Sequence, residues 1–446
     1  MTQCYGFHRK SACLVGLASL MAACAATPQG SVNTPPITPT GGGSTTPAPA
    51  ATPVLQPFSP SGNAGMDNWR ADFADRAIAD GRDVAVVHAT LAAIHPLDLY
   101  LGDTVDKLGT GIGDQAEFAK PIWEYVESAV TTGRKTGGAQ KIYDLAAVFD
   151  EIELTYGVDR EAITAIWAME TNLGSYIGNF DAANTLANMA VEGRRRSFAE
   201  GQLTALMKIQ ERGEASRDQL SSGWAGAMGH TQFMPSTFLS HAVDFDGDGR
   251  KDVWSSAPDA LASAANYLSA SGYQLGQPWG IEVRAPEDFD WSLADGQDRR
   301  MTTWTSNGLT EISGQGFSVA PTSYAEFWLP AGATGPKYLL FKNFDVYKTY
   351  NRSDSYAFAV GLLTDGVGGK NGPAETWPTH LQLLSKRDVM VLQDNLNRLG
   401  FDAGPVDGIA GRGTKGALRE FQKAYDHLAD GYPTQVALQQ VLDAVS

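Results

Sequence analysis

The sequence predicts a mainly α-helical protein with a small strand-rich insert and a C-terminal three-helix module. Three observations carry this reading. Apolar residues recur at helical spacing from about Trp69 to Leu268. Between about Gly280 and Phe344 the texture changes to short apolar runs separated by turn residues. Residues 382–446 then carry helix caps and apolar stripes of their own.

Taken in chain order, the first 24 residues read as an export signal. His8, Arg9 and Lys10 precede an apolar stretch, Ala12–Ala23. That is signal length and shorter than the roughly 20 residues a membrane span needs. Its end, Leu20-Met21-Ala22-Ala23-Cys24, resembles a bacterial lipobox, with Met21 where Leu is preferred. The resemblance implies lipidation of Cys24, with membrane attachment through the lipid anchor only. Ala25 in place of Asp resembles the sorting pattern of outer-membrane lipoproteins, so a periplasmic, outer-membrane location is expected. Ordinary cleavage nearby is the plainer alternative. From Ala25 to Gly62 no charged residue occurs and Pro, Thr, Gly, Ser and Ala dominate, the composition of a linker.

Ala71–Ile78, Val84–Ile94, Ala116–Thr131, Tyr143–Tyr156, Arg160–Leu173 and Phe198–Arg212 read as helices. In the insert, Glu326–Leu329 and Lys337–Phe344 read as strands, and Ser355–Leu363 as a closing helix. Glycines and prolines make residues 364–381 a second linker. In the module, Ser385 to Asp388 forms a capping box, and Val389, Leu392, Leu396 and Leu399 form a stripe ending at Gly400. Leu418, Phe421 and Tyr425 mark a second helix, and Leu438, Val441, Leu442 and Val445 a third. The expected organisation is a signal at 1–24, a linker at 25–62, a helical domain at 63–363, a linker at 364–381 and the module at 382–446.

Composition excludes several functions. The 446 residues hold 50 acidic against 34 basic side chains, a net charge of −16. That field repels phosphates, so nucleic acid is not an expected partner. All three cysteines, Cys4, Cys13 and Cys24, fall in the signal. The rest of the chain has no disulfide framework, no Cys-based metal site and no catalytic thiol.

The segment Ile163 to Gly174 carries the sharpest chemical signal. Ile163, Ile166, Trp167 and Glu170 share one helix face, so an acid stands on an apolar stripe. Gly174 marks the expected helix end and puts Glu170 in the last turn. There the helix dipole and partial burial both favour the protonated acid, as proton donation requires. Spacing alone favours the plainer reading of a carboxylate snorkelling at the stripe edge or paired with an arginine such as Arg194.

Ile166-Trp-Ala-Met-Glu170-Thr-Asn-Leu-Gly174 resembles the catalytic segment of the lytic murein transglycosylase B family. Gly223-Trp-Ala-Gly-Ala-Met-Gly-His230-Thr-Gln232-Phe-Met-Pro-Ser236, Asn266-Tyr267 and Tyr350-Asn351 extend the resemblance over about Trp69 to Leu363. It implies a lysozyme-like α-helical domain that cleaves the MurNAc–GlcNAc bond of peptidoglycan without water. Glu170 is then the acid and base, and Gln232, Tyr267, Tyr350, Asn351 and Tyr356 bind substrate around it. Two residues depart from the pattern. Gly223 stands where some members have Ser, and His230 where others have an aromatic. His230 is expected as a groove residue with no proton-transfer role. Leu392-Gln393, Leu399-Gly-Phe401, Val406-Asp-Gly408, Thr414 and Phe421-Gln422 resemble the peptidoglycan-binding type 1 domain, so glycan strands of the wall are the expected partner.

Asp244-Phe-Asp246-Gly-Asp248-Gly-Arg250-Lys-Asp252 follows the start of an EF-hand loop, with Arg250 at the position that offers a backbone carbonyl. Ser255 replaces the usual closing Glu, and the family resemblance implies Asp259 as the closing ligand. A structural Ca2+ is expected there; an Asp/Gly turn that binds nothing is the alternative. Three rival functions stay open at this point. They are a hydrolytic muramidase, a catalytically silent wall-binding protein and a calcium-dependent adhesin.

Overall fold

The computed structural model describes residues 56–98 and 121–446. Cys24, the signal, the first linker up to residue 55 and the start of the expected helix Ala116–Thr131 lie outside them. Among the described residues no helix is long and apolar enough to cross a membrane.

Two apolar cores build the helical body. One surrounds the helix Arg160–Thr171, where Ile163, Ile166 and Trp167 pack with Trp279, Phe344 and Phe358. Every residue from Ala162 to Ala168 is buried, as expected of a helix apolar around its whole circumference. The helix Asp354–Val367 packs directly against it. The second core joins the helices Ala64–Ala79, Val84–Leu91, Ala182–Glu192 and Arg196–Glu211 through Phe73, Leu91, Leu186 and Leu206. Side-chain caps start the first two of these helices: Asn63 accepts from Met66 N–H, and Asp83 from Ala85 and Val86 N–H. The chain from Ser221 to Val253 runs between the cores. Met228 and Val253 belong to the second, while Val243 and Phe245 pack on the first.

The insert is a five-stranded antiparallel sheet in the order Asp298–Arg300, Tyr324–Trp328, Tyr338–Leu340, Gly280–Arg284, Thr310–Glu311. Ala325 and Phe327 point from one face of their strand into a core with Trp304 and Val283. The C-terminal module is three helices, Lys386–Arg398, Arg412–Ala424 and Gln435–Val445, around Leu392, Leu396, Leu418, Phe421 and Val441. The capping box forms, with Ser385 Oγ accepting from Asp388 N–H at 3.2 Å. Buried Gln393 explains the Val406-Asp407-Gly408 motif. Its Oε1 accepts from Asp407 and Gly408 N–H at 3.1 and 2.9 Å, and its Nε2 donates to Thr414 Oγ1 at 3.1 Å.

Several expectations need correction. Tyr143–Tyr156 is not one helix. Thr132–Asp144 and Ala146–Tyr156 meet at Leu145, and the first was hidden by three glycines and a polar sequence. The run Lys337–Phe344 is strand only for Tyr338–Leu340, because Lys342 begins the helix Lys342–Tyr347. Residues 364–381 are not a free linker. Thr364–Val367 finishes the preceding helix, Glu375 pairs with Lys337, and Trp377 packs against Trp123 and Phe358. The module is docked as well, since Ala333 N–H donates to Asp430 at 3.0 Å and Lys423 to Ser292 at 2.9 Å. Residues 56–62 of the first linker also touch the body, with Arg70 donating to the Ser59 carbonyl at 2.6 Å.

Candidate active site

Glu170 sits half-buried in the last turn of Arg160–Thr171, as its spacing predicts. The helix ends three residues before Gly174. Asn172 closes it at φ 50°, and Leu173 and Gly174 follow at 61° and 79°, three left-handed residues in a row. The Asn172 and Leu173 N–H groups still reach the Ala168 and Trp167 carbonyls, at 3.2 Å each, so the end of the helix is satisfied.

The tyrosines converge on Glu170 from the other end of the domain. Ser353 caps Asp354–Val367 by accepting from Tyr356 N–H at 3.3 Å. Tyr356 thereby enters the first turn, and its hydroxyl donates to Glu170 Oε1. Burial, and next the Glu170 charge, raise the Tyr356 phenol well above its ordinary value. The Tyr350 phenol is raised by the same two causes in the same order, and its buried hydroxyl has no hydrogen-bond partner among the described residues. Both phenols are therefore fixed as neutral O–H donors beside the acid.

Tyr267 stacks at a tilt on Tyr350, with ring centroids 5.3 Å apart, and donates to the Thr349 carbonyl at 3.0 Å. Asn351 Oδ1 accepts from Ser353 N–H at 3.0 Å, at the start of the helix that presents Tyr356. Gln232 is held on a tight turn at φ 51°, with its amide donating to the Gly229 and Ile177 carbonyls at 2.9 and 3.2 Å. Gly223 faces it. A Cβ at that position would lie 2.9 Å from Gln232 Oε1, so a serine there would make the amide shift. Arg194 forms an ion pair with Glu192.

His230 is part of the packing. Its Nδ1 accepts from Trp167 Nε1–H at 3.1 Å, and burial holds the imidazole below its ordinary value, with Lys141 adding and Asp252 opposing. Tyr125 is a residue that sequence reasoning missed. It lies close enough to Tyr356 to affect its ionisation, and it is buried on the helix Ile122–Ala129. A hydroxyl within a stripe of Ile122, Trp123 and Val126 was the available signal, and it read as core.

The acidic loop gathers only part of the expected ligand set. Carboxylate oxygens of Asp244, Asp246 and Asp259 lie within 4.8 Å of one another. Asp259 is completely buried and accepts from Phe245, Asp246 and Asp252 N–H at 2.9, 3.2 and 2.9 Å. Burial raises its pKa despite those three donors. Asp248 and Asp252 do not join the cluster. Asp248 accepts from Arg250 N–H, and Asp252 from Trp254 and Ser255 N–H, so each satisfies its own turn. Three anionic oxygen donors at this spacing fit a hard divalent cation such as Ca2+.

Comparison with known proteins follows the same lines. Residues 65–365 match the family model described as the transglycosylase SLT domain, and residues 385–440 a putative peptidoglycan binding domain. The chain belongs to the SLT transglycosylase family. Among solved members, SltB3 from Pseudomonas aeruginosa, crystallised with NAG-anhNAM-pentapeptide, is 39% identical. The match covers 85% of this chain and 100% of that one, with a TM-score of 0.79. The lytic transglycosylase Slt35 of Escherichia coli, crystallised with bulgecin A, is 25% identical, with a TM-score of 0.56 over 69% of this chain and 93% of that one. Membrane-bound lytic murein transglycosylase B of Escherichia coli (strain K12) is 29% identical over 220 residues. That match covers 48% of this chain and 58% of the relative's length.

Proposed function

We propose that this protein is a lytic transglycosylase that cleaves the MurNAc–GlcNAc bond of peptidoglycan and leaves 1,6-anhydroMurNAc ends. The observation that carries the reading is Glu170 in the last turn of a buried helix with the Tyr356 hydroxyl on its carboxylate. Glu170 in its acid form gives its proton to the glycosidic oxygen, and the bond from that oxygen to C1 of MurNAc breaks. The GlcNAc side leaves as an alcohol. The Glu170 carboxylate then takes the proton of the MurNAc C6 hydroxyl as that oxygen bonds to C1. Glu170 ends protonated, ready for another cycle, and no water is consumed. Neutral hydroxyls of Tyr350 and Tyr356 and the amides of Gln232 and Asn351 supply fixed dipoles for the charge that develops at the sugar.

The module at 382–446 holds the enzyme to the wall, and Cys24 anchors it by lipid on the periplasmic side of the outer membrane. Asp244, Asp246 and Asp259 hold a structural Ca2+, whose charge offsets their mutual repulsion and pins the chain that follows Gln232. Purified peptidoglycan digested with the protein tests the chemistry. Products lighter than hydrolysis products by one water, absent with Glu170→Gln, support transglycosylation by Glu170. Products with free reducing ends would make the enzyme a muramidase. Wall binding with no release would make it a binding protein.

A further inference from the structure

Among the described residues only four non-glycine residues have left-handed backbone: Asn172, Leu173, Gln232 and Asp426. Three of the four belong to the two short segments that carry the acid and the substrate amide. Such residues persist only where their surroundings over-determine them, and they gather at functional sites. Here one buried hydroxyl joins the two segments. Thr171 Oγ1 donates to the His230 carbonyl at 2.6 Å and accepts from Gly174 N–H at 3.0 Å. Around it the fit leaves no slack. A Cβ on Gly174 would lie 2.4 Å from His230 Nδ1, and that nitrogen already accepts from Trp167 of the catalytic helix. His230 N–H is tied to the Val253 carbonyl at 2.9 Å, so the turn that ends at Gln232 is held from its other side as well.

We propose that Thr171 is a positioning residue for the reaction: its hydroxyl clasps the backbone after Glu170 to the Gly229–Gln232 turn and sets the acid against the substrate amide. His230 completes the clasp through its carbonyl and ring and transfers no proton. Thr171 touches no substrate and acts entirely through Glu170 and Gln232. The inference rests on the reading of Glu170 as the acid.

The test compares Thr171→Val, which keeps the shape and removes the hydroxyl, with Thr171→Ser, which restores it. Steady-state kinetics on a defined glycan fragment, thermal melting and amide hydrogen exchange are measured on the full chain. Loss of the clasp is expected to lower kcat about tenfold to a hundredfold, as small misplacements of reacting groups do, with KM within about twofold. Thr171→Ser recovers most of kcat. In Thr171→Val, amide exchange speeds up at 172–176 and at 229–233 together, although the substitution lies in only one of these segments. Unchanged kcat in a folded Thr171→Val, or a loss matched by the unfolded fraction, overturns the proposal. So does faster exchange confined to 172–176, whether or not the wild type is active. A wild type that releases no anhydro product refutes the catalytic reading instead, and the exchange result then decides the clasp by itself.

Discussion

Glu170 and Asp259 are both carboxylates drawn out of water, yet their surroundings suit them to opposite tasks. Glu170 is half-buried among phenols, and Tyr356 gives it a hydroxyl. Asp259 is fully buried, takes three backbone N–H groups and stands within 4.8 Å of two further carboxylates. A carboxyl beside neutral hydroxyls can lose and regain a proton within the cycle of a reaction. Three carboxylates converging on one space form a set of oxygen donors of the kind a hard cation takes. The neighbours, more than the carboxyl itself, make the two sites differ.

Glu170→Gln should break the first site most severely. The amide keeps the shape and cannot donate the proton, so release of anhydro-muropeptides should fall about a thousandfold, the scale of general acid–base catalysis. Its melting temperature should stay near that of the wild type. Asp259→Asn tests the second site. Calcium at a hundredfold excess over its Kd should stabilise the wild type by about 2.7 kcal/mol, visible as a rise in Tm, and the variant should lose most of that rise. Equal calcium shifts in both proteins would remove Asp259 from the site.

Tyr356→Phe sharpens the contrast by removing the hydroxyl and leaving the ring. One hydrogen bond to a charged group corresponds to about tenfold to a hundredfold in kcat. A wild-type rate in Tyr356→Phe would mean that the phenol only fills space. The smallest effect is expected at a third acid, Asp430, where the module meets the Ala333 turn. Burial raises its pKa, while the Ala333 and Tyr432 N–H groups act the other way. A raised folded pKa contributes stability below the unfolded value, and that share is lost as pH rises through the folded value. Asp430→Asn should therefore gain on the wild type as pH rises above the ordinary carboxylate range, read from paired melts. A constant gap between the two proteins over that rise would mean that Asp430 does not titrate in it.

The residues that were legible in the sequence have short-range causes. Glu170 stood out because helical spacing puts it on the face of Ile163, Ile166 and Trp167. The Asp244–Asp252 loop stood out because alternate aspartates with a glycine form a local pattern. The resemblance to a family then extended to Tyr350 and Tyr356, whose arrangement around the acid no spacing could reveal. Tyr125 stayed hidden because a tyrosine in an apolar stripe looks like core until its neighbours are known. Residues 364–381 read as a linker because glycine and proline report local freedom and say nothing of Trp377 finding Trp123 and Phe358.

The sequence by itself determined the helical character, the insert, the three-helix module and the face that carries the acid. Each follows from periodicity and capping within a few turns of chain. Only the tertiary structure decided that Tyr356, 186 residues away, donates to Glu170. It also chose Asp259 over Asp248 and Asp252 for the acidic cluster, and it seated His230 in the space left by the missing side chain of Gly174. Those outcomes depend on which buried groups meet when two cores close around one segment, and contacts between distant parts of the chain leave no period in its sequence.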